Sequence, residues 1–296
     1  MAALRAFPEE LLEHILAETV VSSANPSARP PWHSPADTRT RLAPLLVSSQ
    51  FHRIALPLFY HTVVLRSPKQ SRALVAALKT QPSLARCVRR LILLAPSETD
   101  VETLALLRDA GARIRYLDIT LPTEESGLPD ALRALDGLEE LVVRKGPATY
   151  LSQRGPRAVL EALADLISSC TKLESTTVSF PLSADPALST LVGALAAAPS
   201  LHTLRTPVPS FWSPTLLAVS ANPAMRRICL GDDLSGMGKP RSVMASSLFL
   251  SAARAHMRLS DLIRAGTSVI GWRTRAWTMG SVAAEPPSAT RESACT

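Results

Sequence analysis

The sequence predicts an α/β protein in which short parallel strands alternate with helices and stack into a curved solenoid, preceded by a small helical module. Three observations lead to this prediction. A strand-like apolar pattern recurs seven times at intervals of 24 to 35 residues, which is typical of repeat architectures. A proline follows the pattern at the same register in five of the seven units. Segments with helical apolar periodicity lie between the units.

Each unit places mostly apolar residues at its first, fourth and sixth positions, as in Val88, Leu91 and Leu93. The units begin at Tyr60, Val88, Ile114, Leu138, Leu173, Leu201 and Met225. The prolines stand three residues after the sixth position, at Pro68, Pro96, Pro122, Pro181 and Pro209. Proline favours the end of a strand because its φ is fixed and it has no N–H. We expect one continuous core, weakest at Thr176 and Thr206 because a buried hydroxyl needs a partner.

The segments between the strands are predicted to be helical. They cover residues 69–79, 100–110, 128–135, 156–169, 186–197 and 214–221. A short strand plus a helix at this period resembles the leucine-rich repeat, whose units bury their faces only on their neighbours. Proline stands here where the common pattern of that family has Asn or Cys. We therefore expect no ladder of side-chain bonds from that register.

Two apolar segments precede the repeats. The first, Phe7-Pro8-Glu9-Glu10-Leu11-Leu12, has proline at a helix start and acids in the first turn. The second contains Leu45-Leu46-Val47-Ser48 followed by Phe51. Together they resemble the F-box, a three-helix module that docks on the Skp-type adaptor of cullin-RING ubiquitin ligases. Phe7 stands where the family has Leu, and the link between the segments is longer than in the family.

The resemblance implies that apolar side chains of both segments contact the adaptor. These residues are Phe7, Pro8, Leu11, Leu12, Ile15, Leu16, Leu45, Leu46, Val47 and Phe51. Three short helices enclose too little volume to bury so many large side chains. We therefore expect part of the set to be exposed as a contiguous patch, which usually marks a partner site.

Four parts are predicted along the chain. They are an F-box-like module at 1–59 with a proline-rich loop at 22–37, the solenoid at 60–231, a divergent region at 232–279 and a disordered tail at 280–296. Asp37 is expected to cap the second helix, and a third helix is expected over 50–58. One or two helices are expected in the divergent region, over residues 242–264, and something must cover the open edge after the seventh strand.

Charge and cysteine usage restrict the partners. Residues 239–296 hold eight Lys or Arg and three Asp or Glu, so they carry +5 of the net +7. Because these arginines are scattered singly, we expect a solvated surface and no nucleic-acid binding. The four cysteines lie far apart, which favours a reducing compartment, the cytoplasm or nucleus. We expect neither a secretory signal nor a membrane span.

Motifs for catalysis and cofactors are incomplete. Gly238-Lys239 lacks the flanking Gly and Ser or Thr of a phosphate-binding loop. The six histidines show no spacing typical of metal ligands. We predict that the chain is not an enzyme and has no catalytic residue, cofactor or metal, although an activity in the divergent region stays open as an alternative.

Alternate strand positions of such a repeat point to its concave face and are candidates for binding a protein target. They include Arg90, Tyr116, Asp118, Glu140, Arg144, Thr177, Arg205 and Arg227. The resemblance implies a substrate-recognition subunit of an SCF-type ubiquitin ligase, joined to a cullin through its adaptor. Such a subunit raises the effective concentration of its target near the transferring enzyme. The alternative is a repeat scaffold for protein–protein interaction whose N-terminal helices only cap the solenoid.

Overall fold

A seven-stranded sheet forms the centre of the protein, and the computed structural model describes residues 8–20, 41–209, 211–231 and 243–270. Every strand is parallel to its neighbours, and the spatial order follows the chain order. The strands are β1 (Thr62–Leu65), β2 (Arg90–Leu93), β3 (Tyr116–Thr120), β4 (Glu140–Arg144), β5 (Ser175–Val178), β6 (Thr203–Thr206) and β7 (Arg227–Leu230). This arrangement confirms the predicted parallel α/β sheet.

Helices precede the sheet, connect its strands and follow its last strand. The first are α1 (Glu9–Val20), a short 3₁₀ helix (Ala43–Leu46) and α2 (Ser49–His61). The connecting helices are α3 (Pro68–Thr80), α4 (Glu98–Asp109), α5 (Leu128–Arg133), α6 (Arg154–Ser169), α7 (Ser189–Ala197) and α8 (Pro214–Ser220). The last are α9 (Val243–Ala253) and α10 (Met257–Ile270). None in the described part of the chain is long and apolar enough to span a membrane.

The core lies between one face of the sheet and the connecting helices. Val63, Leu91, Leu117, Leu141 and Ile228, the fourth positions of five repeats, all belong to the same buried cluster. Six of the seven first positions are also in this cluster, and the remaining one packs against it. The predicted continuous core is therefore confirmed. Since successive side chains of a strand point to opposite faces, the intervening residues form a second, largely polar face.

The two threonines of the core differ in how their hydroxyls are paired. Thr176 and Thr206 are both fully buried. Thr206 Oγ1 donates to the carbonyl of Phe180 over 3.2 Å, whereas Thr176 Oγ1 has no hydrogen-bond partner among the described residues. The expected weakness therefore applies to Thr176.

Side chains also bond the backbones of neighbouring repeats, from positions other than the proline register. Thr215 Oγ1 donates to the carbonyl of Leu182 over 2.8 Å. Asn222 Nδ2 donates to the carbonyls of Leu195 and Ala198, each over 2.9 Å. These bonds pair buried backbone carbonyls that would otherwise lack donors.

Helix α10 covers the open edge of β7. A Cβ placed on Gly266 would lie only 2.2 Å from the carbonyl oxygen of Ile228, so glycine permits this close approach. Phe249 of α9 and Leu259 of α10 are fully buried in the main core. The two C-terminal helices therefore close the end of the sheet.

Helix α2 closes the opposite end and joins the N-terminal module to the solenoid. It runs to His61, so the predicted boundary between residues 59 and 60 falls inside it. Leu56 and Tyr60 pack against the main core, and the helix continues because its last turn shares that core. The proline-rich loop at 22–37, Asp37 and the tail at 280–296 lie outside the described residues.

Candidate functional site

The N-terminal module has a small core of its own. Leu16 and Val20 of α1 and Ala55 of α2 are buried together and form a cluster separate from the main core. Leu45 and Phe51, with three further residues of α2, pack partly buried against them. Helix α1 therefore lies on α2 and the 3₁₀ helix, away from the repeats.

Polar contacts fix the ends of these helices. The Ser48 hydroxyl caps α2 by accepting a hydrogen bond from the backbone N–H of Phe51 at 3.2 Å. Glu9 at the start of α1 forms an ion pair with Arg53 of α2. Both partners are well exposed, so this pair contributes little to stability.

Arg41 links the C-terminal ends of α1 and α2 to the first strand. Its Nε donates to the carbonyl of Val20 over 2.7 Å, and its Nη2 lies 3.4 Å from the carbonyls of Phe59 and Thr62. Its guanidinium carbon is 5.3 Å from the centre of the Phe59 ring. Burial lowers the pKa of Arg41. Sequence reasoning missed this residue because a single arginine has no periodic signal.

Several large apolar side chains of the module face solvent. Leu11 and Ile15, one turn apart on α1, are 51% and 54% exposed. Leu46, the last residue of the 3₁₀ helix, and Val47, which follows it, are 86% and 60% exposed. Pro8 is exposed as well. So many large exposed apolar residues within one small module favour a covered, partner-binding surface.

The remaining residues expected at the adaptor surface are placed differently. Leu12 and Leu16 are buried, because α1 turns this pair, and not Leu11 and Ile15, toward α2. Leu45 and Phe51 are half-buried. Phe7 lies outside the described residues. The exposed set is therefore narrower than the sequence-based set, and Leu12 and Leu16 are corrected to core residues of the module.

The sheet face opposite the main core holds all eight residues expected there. Arg90, Tyr116, Glu140 and Arg227 lie in one row of paired positions across β2, β3, β4 and β7. Asp118, Thr177 and Arg205 lie in the next row, and Arg144 follows at the end of β4. We call this surface the polar sheet face. Its rows also contain a small apolar cluster of Ile92, Tyr116 and Val142.

Asp118 is the structural centre of this face. Arg144 holds its carboxylate with two hydrogen bonds, from Nε at 2.7 Å and from Nη2 at 2.9 Å. The side chain of Asp118 has no solvent exposure, and the Tyr116 hydroxyl lies 3.4 Å from its second oxygen. Burial and the negative charges of Asp118 and Glu140 raise the pKa of Tyr116. Asp118 therefore positions its neighbours.

The other residues of the face are partly paired. Arg227 Nε donates to the Thr203 hydroxyl over 2.9 Å, and Thr177 is buried. Burial raises the pKa of the Glu140 carboxyl, an effect opposed by the positive charges of Arg90 and Arg205. The charge on this face is thus unevenly distributed, with arginines on both sides of Glu140.

A cavity of about 710 Å³ opens where the first strands begin. The basic residues His61, Arg86, Arg89, Arg90 and Arg115 line it near the starts of β1 to β3. The acidic residues Glu139, Glu140 and Glu174 line it near the starts of β4 and β5. We call these two parts of the lining the basic wall and the acidic wall, and Pro57 and Leu58 of α2 also line the cavity. A cavity with basic residues along one part and acidic residues along the next suits a ligand that carries both signs of charge.

A second cavity of about 290 Å³ lies near the carboxyl ends of β4 and β5. Lys145, Tyr150, Phe180 and Asp185 are among the residues that line it. Among the described residues, no group of three or more His, Cys, Asp or Glu side chains could hold a metal ion.

Compared with protein-family models and with curated proteins, the chain matches none. Two surfaces of the chain are candidates for binding, the exposed apolar residues of the N-terminal module and the polar sheet face.

Proposed function

We propose that this chain is the target-recognition subunit of an SCF-type ubiquitin ligase. In this proposal the N-terminal module is an F-box that docks on a Skp-type adaptor and through it on a cullin. The leucine-rich-repeat-like sheet presents a protein target on its polar face. The chain acts by proximity, because it raises the effective concentration of the target near the transferring enzyme.

The observation that carries the proposal is the exposure of Leu11, Ile15, Leu46 and Val47 on a module with its own core. Leu11 and Ile15 are one helical turn apart, which is the spacing of side chains that anchor an amphipathic helix in a partner's groove. The ordered caps and the Arg41 contacts hold these residues in place without a partner. The surface is therefore preorganised for docking, which lowers the entropy lost on binding.

The alternative, a scaffold whose N-terminal helices only cap the solenoid, is favoured by one contact. Leu56 and Tyr60 of α2 do pack on the main core. This contact uses the face of α2 that points toward the repeats. The two roles are therefore compatible. A cap role alone, however, gives no reason for an outer helix α1 with two exposed large apolar side chains, so it explains less than the adaptor role.

Co-purification of the full chain with a Skp-type adaptor tests the proposal. Replacement of both Leu11 and Ile15 by Asp should abolish recovery of the adaptor, while the circular dichroism spectrum and melting temperature stay unchanged because both side chains are exposed. A matched control replaces Leu248, which is 62% exposed on α9 at the far end of the solenoid, by Asp. The control should retain the adaptor. Recovery of the adaptor with the double variant would leave the scaffold as the better description.

A further inference from the structure

The polar sheet face contains a corner where buried polar atoms lack partners within the described ranges of the chain. Arg90 Nε and Nη2, Thr62 Oγ1 and His61 Nδ1 are all shielded from solvent and make no hydrogen bond to any described residue. Thr62 and Arg90 are paired across β1 and β2, and His61 directly precedes Thr62. Leaving such donors unpaired is costly, by about 1–3 kcal/mol for each group. The concentration of four in one corner indicates that a group from outside the chain completes it.

The chemistry of that group follows from the edge of Arg90 that is unpaired. Nε and Nη2 form the two-donor edge of a guanidinium, which fits both oxygens of one carboxylate. Arg144 uses the same two nitrogens to hold Asp118 on the same sheet face. The guanidinium of Arg90 lies 4.0 Å above the Tyr116 ring, which orients this edge. The Thr62 hydroxyl supplies a further donor beside it.

Arg90 differs from the other arginines that line the cavity, because its Nε and Nη2 are both buried and have no partner among the described residues. Arg86 Nε donates to the carbonyl of Ala110, and Arg89 Nη1 donates to the carbonyls of Arg86 and Val88. Arg115 forms an ion pair with Glu139 at 3.6 Å.

The acidic wall restricts the ligand further. Glu140 lies two strands away from Arg90 in the same row, so the two positions are separated by about 10 Å. In an extended peptide, residues two apart lie on the same side about 7 Å from each other, and long Glu and Lys side chains at that spacing cover the remaining distance. A peptide with an acidic side chain over β2 and a basic side chain two residues away would thus match both walls.

We propose that this cavity binds an extended peptide segment of a protein partner, with an acidic side chain on Arg90 and a basic side chain on Glu140. This inference deepens the proposed target recognition by stating the charge pattern of the bound segment. Peptide binding requires no adaptor, so the peptide assay and the adaptor assay fail independently.

Fluorescence anisotropy with the full chain and short labelled peptides tests the inference. The probe peptide carries Glu-Ala-Lys between Gly and Ser residues, with blocked termini, and two controls replace its Glu or its Lys by Gln. Arg90→Lys keeps the charge and removes the two-donor edge, so we expect at least about tenfold weaker binding. Arg113→Lys is the matched control, because Arg113 is exposed and does not line the cavity. Its affinity should equal that of the unaltered chain.

Glu140→Gln tests the contribution of the acidic wall separately from that of the basic wall. It should lower the affinity for the Glu-Ala-Lys peptide and leave the affinity for the peptide without Lys unchanged. A carboxylate beside His61 should also raise the pKa of its imidazole toward the ordinary value, an effect that NMR titration measures and that a merely structural role for Arg90 would not produce.

Three results would overturn the inference. The first is equal peptide affinity for Arg90→Lys and the unaltered chain. The second is the absence of saturable binding up to about 10 mM peptide, a concentration at which even weak sites fill. The third is displacement of the labelled peptide by inorganic phosphate as effectively as by unlabelled peptide, which would reassign the corner to a phosphate group.

Discussion

Arg144 holds Asp118 through both donors of one guanidinium edge, at 2.7 and 2.9 Å, while the carboxylate is fully removed from solvent. The pair lies at the centre of the polar sheet face, where Asp118 is flanked in its row by Ile92 and Val142. It therefore fixes the geometry of the surface that we assign to target binding.

Replacing one partner of this pair should destabilise the protein far more than replacing both partners. Arg144→Leu leaves a buried carboxylate without its partner and should lower the free energy of unfolding by about 3–5 kcal/mol. The double change Asp118→Val and Arg144→Leu extends the apolar row and should recover most of that loss. Urea unfolding of both variants gives the comparison. A single variant as stable as the unaltered chain would show that the pair does not hold the face.

The two core threonines should respond oppositely to valine. Thr176→Val removes a buried hydroxyl that has no partner in the described part of the chain, so the free energy of unfolding should stay the same or rise. Thr206→Val removes the hydrogen bond to the Phe180 carbonyl and leaves that oxygen unpaired, at a cost of about 1–3 kcal/mol. Thermal unfolding of the two variants side by side measures the difference. Equal effects would contradict the distinction.

Gly266 should tolerate no side chain. A Cβ there would meet the Ile228 carbonyl oxygen at 2.2 Å, so Gly266→Ala should push α10 from β7 and destabilise the protein. Gly193 is the matched control, since a Cβ there would meet no atom within 4 Å. Because alanine favours a helix interior over glycine by about 1 kcal/mol, Gly193→Ala should raise the melting temperature. If both variants melted alike, contact between α10 and β7 would not limit stability.

His61 should make the protein less stable in mild acid. Burial and the charges of Arg90, Arg89 and Arg115 lower the pKa of His61 below its ordinary value of 6.5. As the pH falls through that value, the unfolded chain takes up a proton that the folded chain does not, so stability is lost below it and not above it. The free energy of unfolding should therefore differ less between about pH 7.5 and about pH 5.5 in His61→Asn than in the unaltered chain. An unchanged difference would contradict this origin.

Much of the fold could be predicted because the same short apolar pattern recurs in each unit, although the intervals between units vary from 24 to 35 residues. The proline register and the first, fourth and sixth positions placed all seven strands, from β1 to β7. The face of each strand followed from the alternation of side chains. The pairing of Asp118 with Arg144 did not follow, because its partners lie on neighbouring strands and their spacing along the chain carries no signal.

The orientation of α1 could not be predicted for a simpler reason. Leu11 with Ile15 and Leu12 with Leu16 are two apolar pairs at the same four-residue spacing. Both fit the same helical periodicity, so the sequence does not tell which pair faces α2. The packing of Leu16 and Val20 on Ala55 selects the second pair for the interior.

The central claim is that the exposed residues of the N-terminal module bind a Skp-type adaptor. Isothermal titration of the full chain with purified adaptor, comparing the unaltered protein with Leu46→Asp, tests it most directly. Leu46 is 86% exposed, so the variant should keep its melting temperature and, as an anchor in the interface, lose at least about thirtyfold in affinity, or about 2 kcal/mol. No measurable heat of binding for the unaltered chain, or the same affinity for Leu46→Asp, would contradict the claim.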